Sequence, residues 1–305
     1  MSGNFHLTIL GSSSATPTSN RNPSAQYLNF IDRNILIDCG EGTQSQIRKY
    51  KLKLTKIEHI FISHLHGDHY FGLPGLLSSL HLLNQTHEVH LYCFKELKEI
   101  LEQIFKYSDT FLRYRLVYHF LDSKRPEVIF EDDKIQVSSF PLKHRIACCG
   151  FIFREKPSLL SVKKDMIELY KLSPHDIVKI KNGEDFVDED GNLVKNQHLT
   201  HAPNPLLSYA YCSDTVYDES LAEVLYNVSL LYHEATFCND QKERAEITFH
   251  STAEQAAHIA KKAQVEQLLI GHFSSRYKDT SVFAQEAKAV FEKTFLAEEG
   301  KTFVL

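Results

Sequence analysis

Short apolar runs, each closed by polar or glycine-rich residues, recur along the chain. Leu7–Leu10, Ile35–Ile37, Ile57–Ile62, Ile135–Phe140, Gly150–Phe153, Leu206–Tyr211, Val228–Tyr232 and Leu268–Ile270 read as strands. Between them the period changes. Leu73, Leu76, Leu77 and Leu80 recur at i, i+3, i+4 and i+7, which places them on one helix face. Leu97, Ile100, Leu101 and Ile104 repeat the pattern. Ser251 with Glu254 has the form of a capping box opening a helix to about Ala263. Val282–Phe295 reads as a fourth helix. Strands interspersed with helices predict an α/β sandwich.

The rhythm breaks between residues 155 and 204, where strand pattern fades until a turn at Asp190-Gly191. From Arg154 to Lys181, seven basic residues stand against four acidic ones. Taken as charge alone, such a stretch is a solvated pair of surface helices. The expected organisation is one domain over 1–154 and 205–305, interrupted by an insertion at 155–204.

Composition narrows the class. Of 305 residues, 43% are apolar and 24% charged, as in globular proteins. The net charge of −5 argues against a generic nucleic-acid coat and leaves room for an enzyme with a locally basic arm. No apolar run reaches the ~18 residues of a membrane helix. The N-terminus lacks the basic-then-apolar pattern of a secretory signal. A soluble cytoplasmic protein without a membrane partner is expected. The six cysteines form no CxxC pair, which fits reduced thiols. Histidine is the outlier at 17 residues, and several cluster.

The cluster is His64-Leu-His66-Gly-Asp68-His69. Residues two apart on an extended loop point the same way, and Gly67 permits a sharp turn before the second pair. Nitrogen and carboxylate donors without thiolate suit Zn²⁺, with Fe or Mn as alternatives. One loop cannot fill two metal shells. His144, Asp214 and His272 each follow an apolar run, as the first loop does, so all four segments converge if those strand ends share an edge. With Asp214 bridging, the seven side chains give four contacts to each of two metals. Paired metals about 3.5–4 Å apart are the arrangement of phosphoester cleavage. Apart from His250, taken up below, the other eleven histidines, including His59, His90, His119 and His233, read as ordinary core or surface residues.

At this motif the chain resembles the metallo-β-lactamase superfamily. LTILGSSSATPT near the start, ILIDCGEGTQ at 35–44, ISHLHGDHYFGLPGLL at 62–77, HEAT at 233–236, FHST at 249–252 and GHFSSRY at 271–277 together resemble the ribonuclease Z family. That resemblance implies a four-layer αββα sandwich carrying a protruding arm. It implies an endonuclease that removes 3′ trailers from precursor tRNA with two Zn²⁺ per subunit. His64, His66 and His144 would hold one zinc, Asp68, His69 and His272 the other, and Asp214 would bridge. Asp68 would also orient and deprotonate the attacking water. His250 with Glu234 would form a pair near the leaving group. The loop from Pro17 to Asn22 resembles the family's PxKxRN loop, with Ser19 in place of lysine, and brings Arg21 and Asn22 to the substrate. Arg276, in the last motif, joins them. The insertion corresponds to a tRNA-gripping arm with Lys163, Lys164, Lys171 and Lys179 as contacts. It carries Leu172-Ser173-Pro174-His175 where bacterial short forms often have a Gly-Pro-rich stretch. Family members are homodimers in which one subunit's arm serves the other's active site.

A ribose alkoxide is a poor leaving group, so a proton donor is needed, and His250 is the candidate. A helix N-terminus disfavours its charged form and Glu234 favours it, so its pKa is expected near working pH. A phosphodiesterase acting on cyclic nucleotides shares HxHxDH, but the insertion and the HEAT and HST motifs argue against it. A lactamase or thioester hydrolase leaves the long basic insertion unexplained. An inactive tRNA-binding module would have lost ligands, and all seven positions are intact.

Overall fold

Side-chain alternation along the strands decides the architecture. The computed structural model describes residues 5–305; residues 1–4, where the domain expected over 1–154 begins, lie outside the described residues. In chain order, β1 (Phe5–Gly11), β2 (Ala25–Phe30) and β3 (Arg33–Cys39) lead to α1 (Thr43–Lys49), β4 (Ile57–Phe61), α2 (Gly67–Tyr70) and α3 (Leu73–Leu82). Then come β5 (Val89–Cys93), α4 (Lys95–Tyr107), β6 (Leu116–Phe120), β7 (Glu127–Glu131), β8 (Ile135–Leu142) and β9 (Cys148–Glu155). The insertion holds α5 (Lys164–Leu169), α6 (Pro174–Lys181), β10 (Phe186–Val187), β11 (Leu193–Val194) and α7 (Asn196–Leu199). The chain closes through β12 (Ser208–Cys212), α8 (Leu221–Val224), β13 (Leu230–Glu234), α9 (Lys242–Thr248), α10 (Ala253–Lys262), β14 (Gln267–Gly271), α11 (Ser281–Lys288), β15 (Thr294–Leu296) and β16 (Thr302–Val304).

Two seven-stranded sheets result, ordered β16-β1-β2-β3-β4-β5-β6 and β15-β14-β13-β12-β9-β8-β7. Successive residues of a strand face opposite sides. Phe5, Leu7 and Ile9 of β1 and Ile35 and Ile37 of β3 meet Phe151 and Phe153 of β9 and Tyr209 and Tyr211 of β12 between the sheets. Leu36 and Ile60 turn the other way, onto the leucines of α3 and Leu97 and Leu101 of α4. In the second sheet Ala210, Leu231, Leu268 and Ile270 pack against Ala256, Ile259 and Ala260 of α10 and Phe283 of α11. Each such side chain contributes about 1.5–3 kcal/mol on burial. The order is helix, sheet, sheet, helix, the αββα sandwich expected.

The parallel strands β12, β13 and β14 bring their C-terminal ends, at Cys212, Glu234 and Gly271, to one edge. That edge positions the chemistry described below.

Two helix expectations need correction. Val282–Phe295 is not one helix: α11 stops at Lys288, and Phe295 belongs to β15, paired in parallel with β14. Val290 and Phe291 keep their apolar contacts from the connection instead. The capping box lies one residue later than Ser251/Glu254. Thr252 Oγ1 accepts from Gln255 N at 3.2 Å, and Gln255 Oε1 accepts from Thr252 N at 2.9 Å. Ser251 instead donates its hydroxyl to the Thr215 carbonyl. The run Leu206–Tyr211 begins β12 only at Ser208, with Leu206 exposed, and Val228 precedes β13. The sequence pattern does not predict the short strands β2, β5, β6, β7, β15 and β16, each of three to six residues.

The chain divides into two compact units, one formed by residues up to Arg154 with Leu207–Leu305, the other by Glu155–Leu206. The smaller unit is more than a solvated helix pair. Val162, Leu172, Ile180 and Leu199 form its own buried core, with Ile177, Phe186 and Val194 packed against it. Ser173 caps α6 in a reciprocal box with Asp176, and Pro174 opens that helix where a missing N–H costs nothing. Gly191, at φ 85°, turns between β10 and β11.

The Thr252→Ala substitution removes the observed cap and is expected to cost about 1 kcal/mol of stability. Urea unfolding checks this; an unchanged midpoint would mean the cap contributes nothing.

Candidate metal centre

The loop after β4 is pinned before its ligands begin. Ser63 donates its N–H to Asp38 Oδ1 at 2.8 Å and its hydroxyl to Asp38 Oδ2 at 2.9 Å. Asp38 ends β3 in a left-handed conformation, φ 55°. The short α2 then returns the chain, so that His69 lies beneath His64 with ring centroids 4.1 Å apart.

Seven donors meet at the sheet edge in two groups. His64 Nε2 and His144 Nε2 each lie 3.1 Å from His66 Nδ1, and 3.7 and 3.9 Å from Asp214 Oδ2. Asp68 Oδ2 lies 3.5 Å from His69 Nε2 and 3.4 Å from His272 Nε2. Asp214 Oδ1 is 3.5 and 3.3 Å from those same two nitrogens. One oxygen of Asp214 therefore faces each group.

Surrounding residues fix which ring nitrogen carries a lone pair. His69 Nδ1 sits 2.7 Å from Asp38 Oδ2, so Nδ1 keeps the hydrogen and Nε2 is the lone-pair nitrogen of the neutral ring that a cation would bind. His144 Nδ1 donates to the Phe249 carbonyl at 2.9 Å. Ser63 Oγ has given its proton to Asp38 and accepts from His64 Nδ1 at 3.0 Å. Thr236 Oγ1 donates to Glu234 Oε2 and accepts from His272 Nδ1, both at 2.8 Å. Four Nε2 atoms thus point their lone pairs inward, the arrangement that outer partners of metal-binding imidazoles produce.

The pocket fits divalent cations. Asp38 and Asp214 are buried, and Asp68 half-buried, around the fully buried His69. His69 Nε2 and Asp214 Oδ1 have no hydrogen-bond partner, although unpaired buried polar atoms cost about 1–3 kcal/mol each. Burial disfavours charge on His69, yet Asp214, Asp68 and Asp38 outweigh it and push its pKa well above the ordinary value. Burial also works to neutralise Asp68, but His69 and His272 hold it well below the usual carboxylate range. Burial, followed by its histidine neighbours, lowers His64 and His66, which keeps them neutral. Metal binding needs neutral imidazole and ionised carboxylate. Every donor is nitrogen or oxygen, a set that suits zinc.

Beside this group, His250 Nδ1 lies 3.0 Å from Glu234 Oε1. Glu234, fully buried at the end of β13, also accepts from the N–H groups of Thr215, Thr236 and Ser251. Burial lowers the His250 pKa, but Glu234, then Asp214 and Asp68, overcome it and bring the value up to about 9. The expectation of a pKa near working pH is corrected upward for the protein alone. Thr252, not His250 or Ser251, caps the helix, so its N-terminus opposes the carboxylates from two residues further off.

His66, Asp68, Asp214, His250 and His272 line a cavity of about 480 Å³. The other expected substrate contacts lie elsewhere. Arg21 donates to the carbonyls of Ser274 and Tyr277, and Asn22 is held through N–H and side chain by Glu299. Both fix the loop from Pro17. Arg276 is exposed. In the smaller unit Lys164, Lys171 and Lys179 are exposed, while Lys163 Nζ donates to the His198 carbonyl.

A Ribonuclease Z of Bacteroides fragilis strain YCH46 is 46% identical over 296 residues, covering 97% of each chain. The chain belongs to the ribonuclease Z family. A crystal structure of the short form of human tRNase Z covers 98% of each chain at 27% identity and a TM-score of 0.70. The metallo-β-lactamase fold protein YhfI of Bacillus subtilis, at 19% identity and a TM-score of 0.68, shares the fold. Over residues 5–161, a span that takes in the ligands from His64 to His144, the chain also belongs to the family described as Anti-Pycsar protein Apyc1.

Sequence reasoning had no role for Asp38, Ser63 and Thr236. Each lay within a motif already noticed, and an aspartate ending the apolar strand of ILIDCGEG was the available signal for Asp38.

Asp38→Asn leaves His69 without its anionic partner and is expected to weaken metal binding roughly 10–100-fold. Competition with a chromophoric chelator measures this, and unchanged affinity would remove Asp38 from the centre. The raised pKa of His250 gives a second prediction. Its charged pairing with Glu234 stabilises fully below the unfolded value of 6.5 and is lost as pH rises through about 9. In chelator-treated protein, the excess thermal stability of wild type over His250→Gln should shrink across that window. A constant difference would rule out the charged pair.

Proposed function

We propose that this chain is a zinc-dependent endoribonuclease that removes the 3′ trailer of precursor tRNA after the discriminator nucleotide. The tRNA keeps a 3′-hydroxyl and the trailer a 5′-phosphate. The observation that carries this reading is the splitting of one carboxylate, Asp214, between two sets of inward-pointing donors beside the His250–Glu234 pair. The names of the relatives supply the substrate.

His64, His66 and His144 would hold one zinc, Asp68, His69 and His272 the other, and Asp214 would contribute to both. Bound there, the two cations neutralise charge on a phosphoryl group and acidify water. Asp68 Oδ2 is tied to the Ala15 N–H at 2.8 Å, which leaves Oδ1 to orient the attacking water and take its proton. His250, held through Nδ1 by Glu234, offers Nε2–H to the cavity. As the P–O3′ bond breaks, that proton passes to the departing 3′ oxygen. A pKa of about 9 keeps the donor charged, and cations among the neighbouring donors lower it towards neutrality, where a general acid works best.

The unit Glu155–Leu206 serves as the tRNA grip through Lys164, Lys171 and Lys179. The working form is a homodimer in which each protomer's arm serves its partner's site. No helix among the described residues is long and apolar enough to cross a membrane; the cytoplasm, where precursor tRNA is processed, is the proposed location.

Zinc-loaded protein should cut a labelled precursor tRNA at one position, with end-group analysis giving the 3′-hydroxyl and 5′-phosphate. Asp68→Ala should lose activity by orders of magnitude. Zinc-replete protein that leaves this RNA intact would sink the reading. Replacing Lys164, Lys171 and Lys179 with alanine should weaken precursor binding and flatten its salt dependence, since each lost phosphate contact removes about one released counterion. An unchanged salt slope would remove the arm from recognition.

A further inference from the structure

Two side chains at the cavity have no part in the metal centre. Phe71 follows α2, is 63% exposed and lines the cavity beside the candidate metal donors. Its ring is seated: a Cβ at Gly67 would come within 2.2 Å of it, so the ring rests on that glycine's bare backbone. The edge of Tyr70 supports it, with centroids 5.0 Å apart. One face is thus backed and the rest is open. Arg145 follows the ligand His144, is exposed and lines the same cavity. Its guanidinium makes no ion pair or hydrogen bond among the described residues, although Asp68, Asp214 and Glu41 also line the cavity.

We propose that this pair reads single-stranded RNA next to the bond to be cut: the Phe71 ring stacks on a base, and the Arg145 fork holds a phosphate neighbouring the scissile one. This rests on the nuclease reading above and adds the form of RNA taken at the same site. A phenyl face stacks on any base, so the ring selects an unpaired nucleotide without reading its identity. A base inside a duplex has both faces covered. A guanidinium presents parallel donors to two phosphate oxygens, which an ammonium cannot copy. The other ionisable groups lining the cavity are carboxylates and imidazoles. Arg145 is therefore the guanidinium there, placed outside the candidate metal donors and the His250–Glu234 pair, that could hold a second phosphate.

The test uses zinc-loaded full-length protein, wild type, Phe71→Ala, Arg145→Gln and Arg145→Lys. Two measurements are made: kcat/KM on precursor tRNA and on bis(p-nitrophenyl) phosphate, and anisotropy with a labelled phosphorothioate hexanucleotide, single-stranded or annealed. Phe71→Ala and Arg145→Gln should each weaken single-strand binding roughly tenfold, in line with the loss of one stacked base or one charged contact. They should lower turnover of precursor RNA at least tenfold more than that of the small ester. Arg145→Lys should recover part of the binding. Wild type should bind the annealed probe more weakly than the single strand. Equal losses on both substrates, or single-strand binding insensitive to both substitutions, would overturn the proposal. Failure of wild type to cut precursor tRNA would sink the nuclease reading alone, because the hexanucleotide measurement still decides the roles of Phe71 and Arg145.

Discussion

Negative charge without enough protein-borne positive charge governs this fold's functional edge. Asp38 and Asp214 are buried and Asp68 half-buried around the ring of His69, and Glu234 is buried beside them. Histidines supply the neighbouring atoms, and burial keeps most of them neutral. Ionised carboxylates without counter-charge are among the costliest things a protein can bury. Divalent cations resolve the conflict at once, and the outer contacts make sense in that light. Asp38, Ser63, Thr236 and the Phe249 carbonyl each dictate a tautomer, so the lone pairs converge before any ion arrives.

The layered fold and the grouping of the candidate metal donors were legible in the sequence for different reasons. Alternating apolar runs show which strands have two covered faces, and Ile35–Ile37 and Leu268–Ile270 fall inside β3 and β14. Edge and near-edge strands with one wet face, such as β6 and β7, lack that signature. His64, His66, Asp68 and His69 stand out because four donor residues crowd one loop. His144, Asp214 and His272 were found by their shared position after apolar runs, and the parallel register of β12 and β14 about β13 explains why that position carries information. Contacts that depend on three-dimensional closure were not legible. Arg21 and Asn22 look like free substrate contacts on paper, whereas backbone carbonyls and Glu299 engage them. The small core of Val162, Leu172, Ile180 and Leu199 was hidden behind the charge pattern of the insertion.

The hydroxyl of Thr236 stands where two functions meet. It accepts from the ligand His272 and donates to Glu234, which in turn holds His250. A hydroxyl has one proton to give, so its orientation is set by both neighbours together. The HEAT segment therefore links the candidate metal donor His272 to the His250–Glu234 pair by a single side chain.

The donors also come from both sheets. The loop from His64 to His69 leaves β4 in the first sheet, while His144, Asp214 and His272 leave β8, β12 and β14 in the second. A cation gripped by both acts as a rivet through the sandwich, since separating the layers must first tear it from its ligands. An ion held more tightly by the folded chain than by the unfolded one would raise the melting temperature with the logarithm of its free concentration. Starvation for the metal would then cost the cell the protein as well as its chemistry.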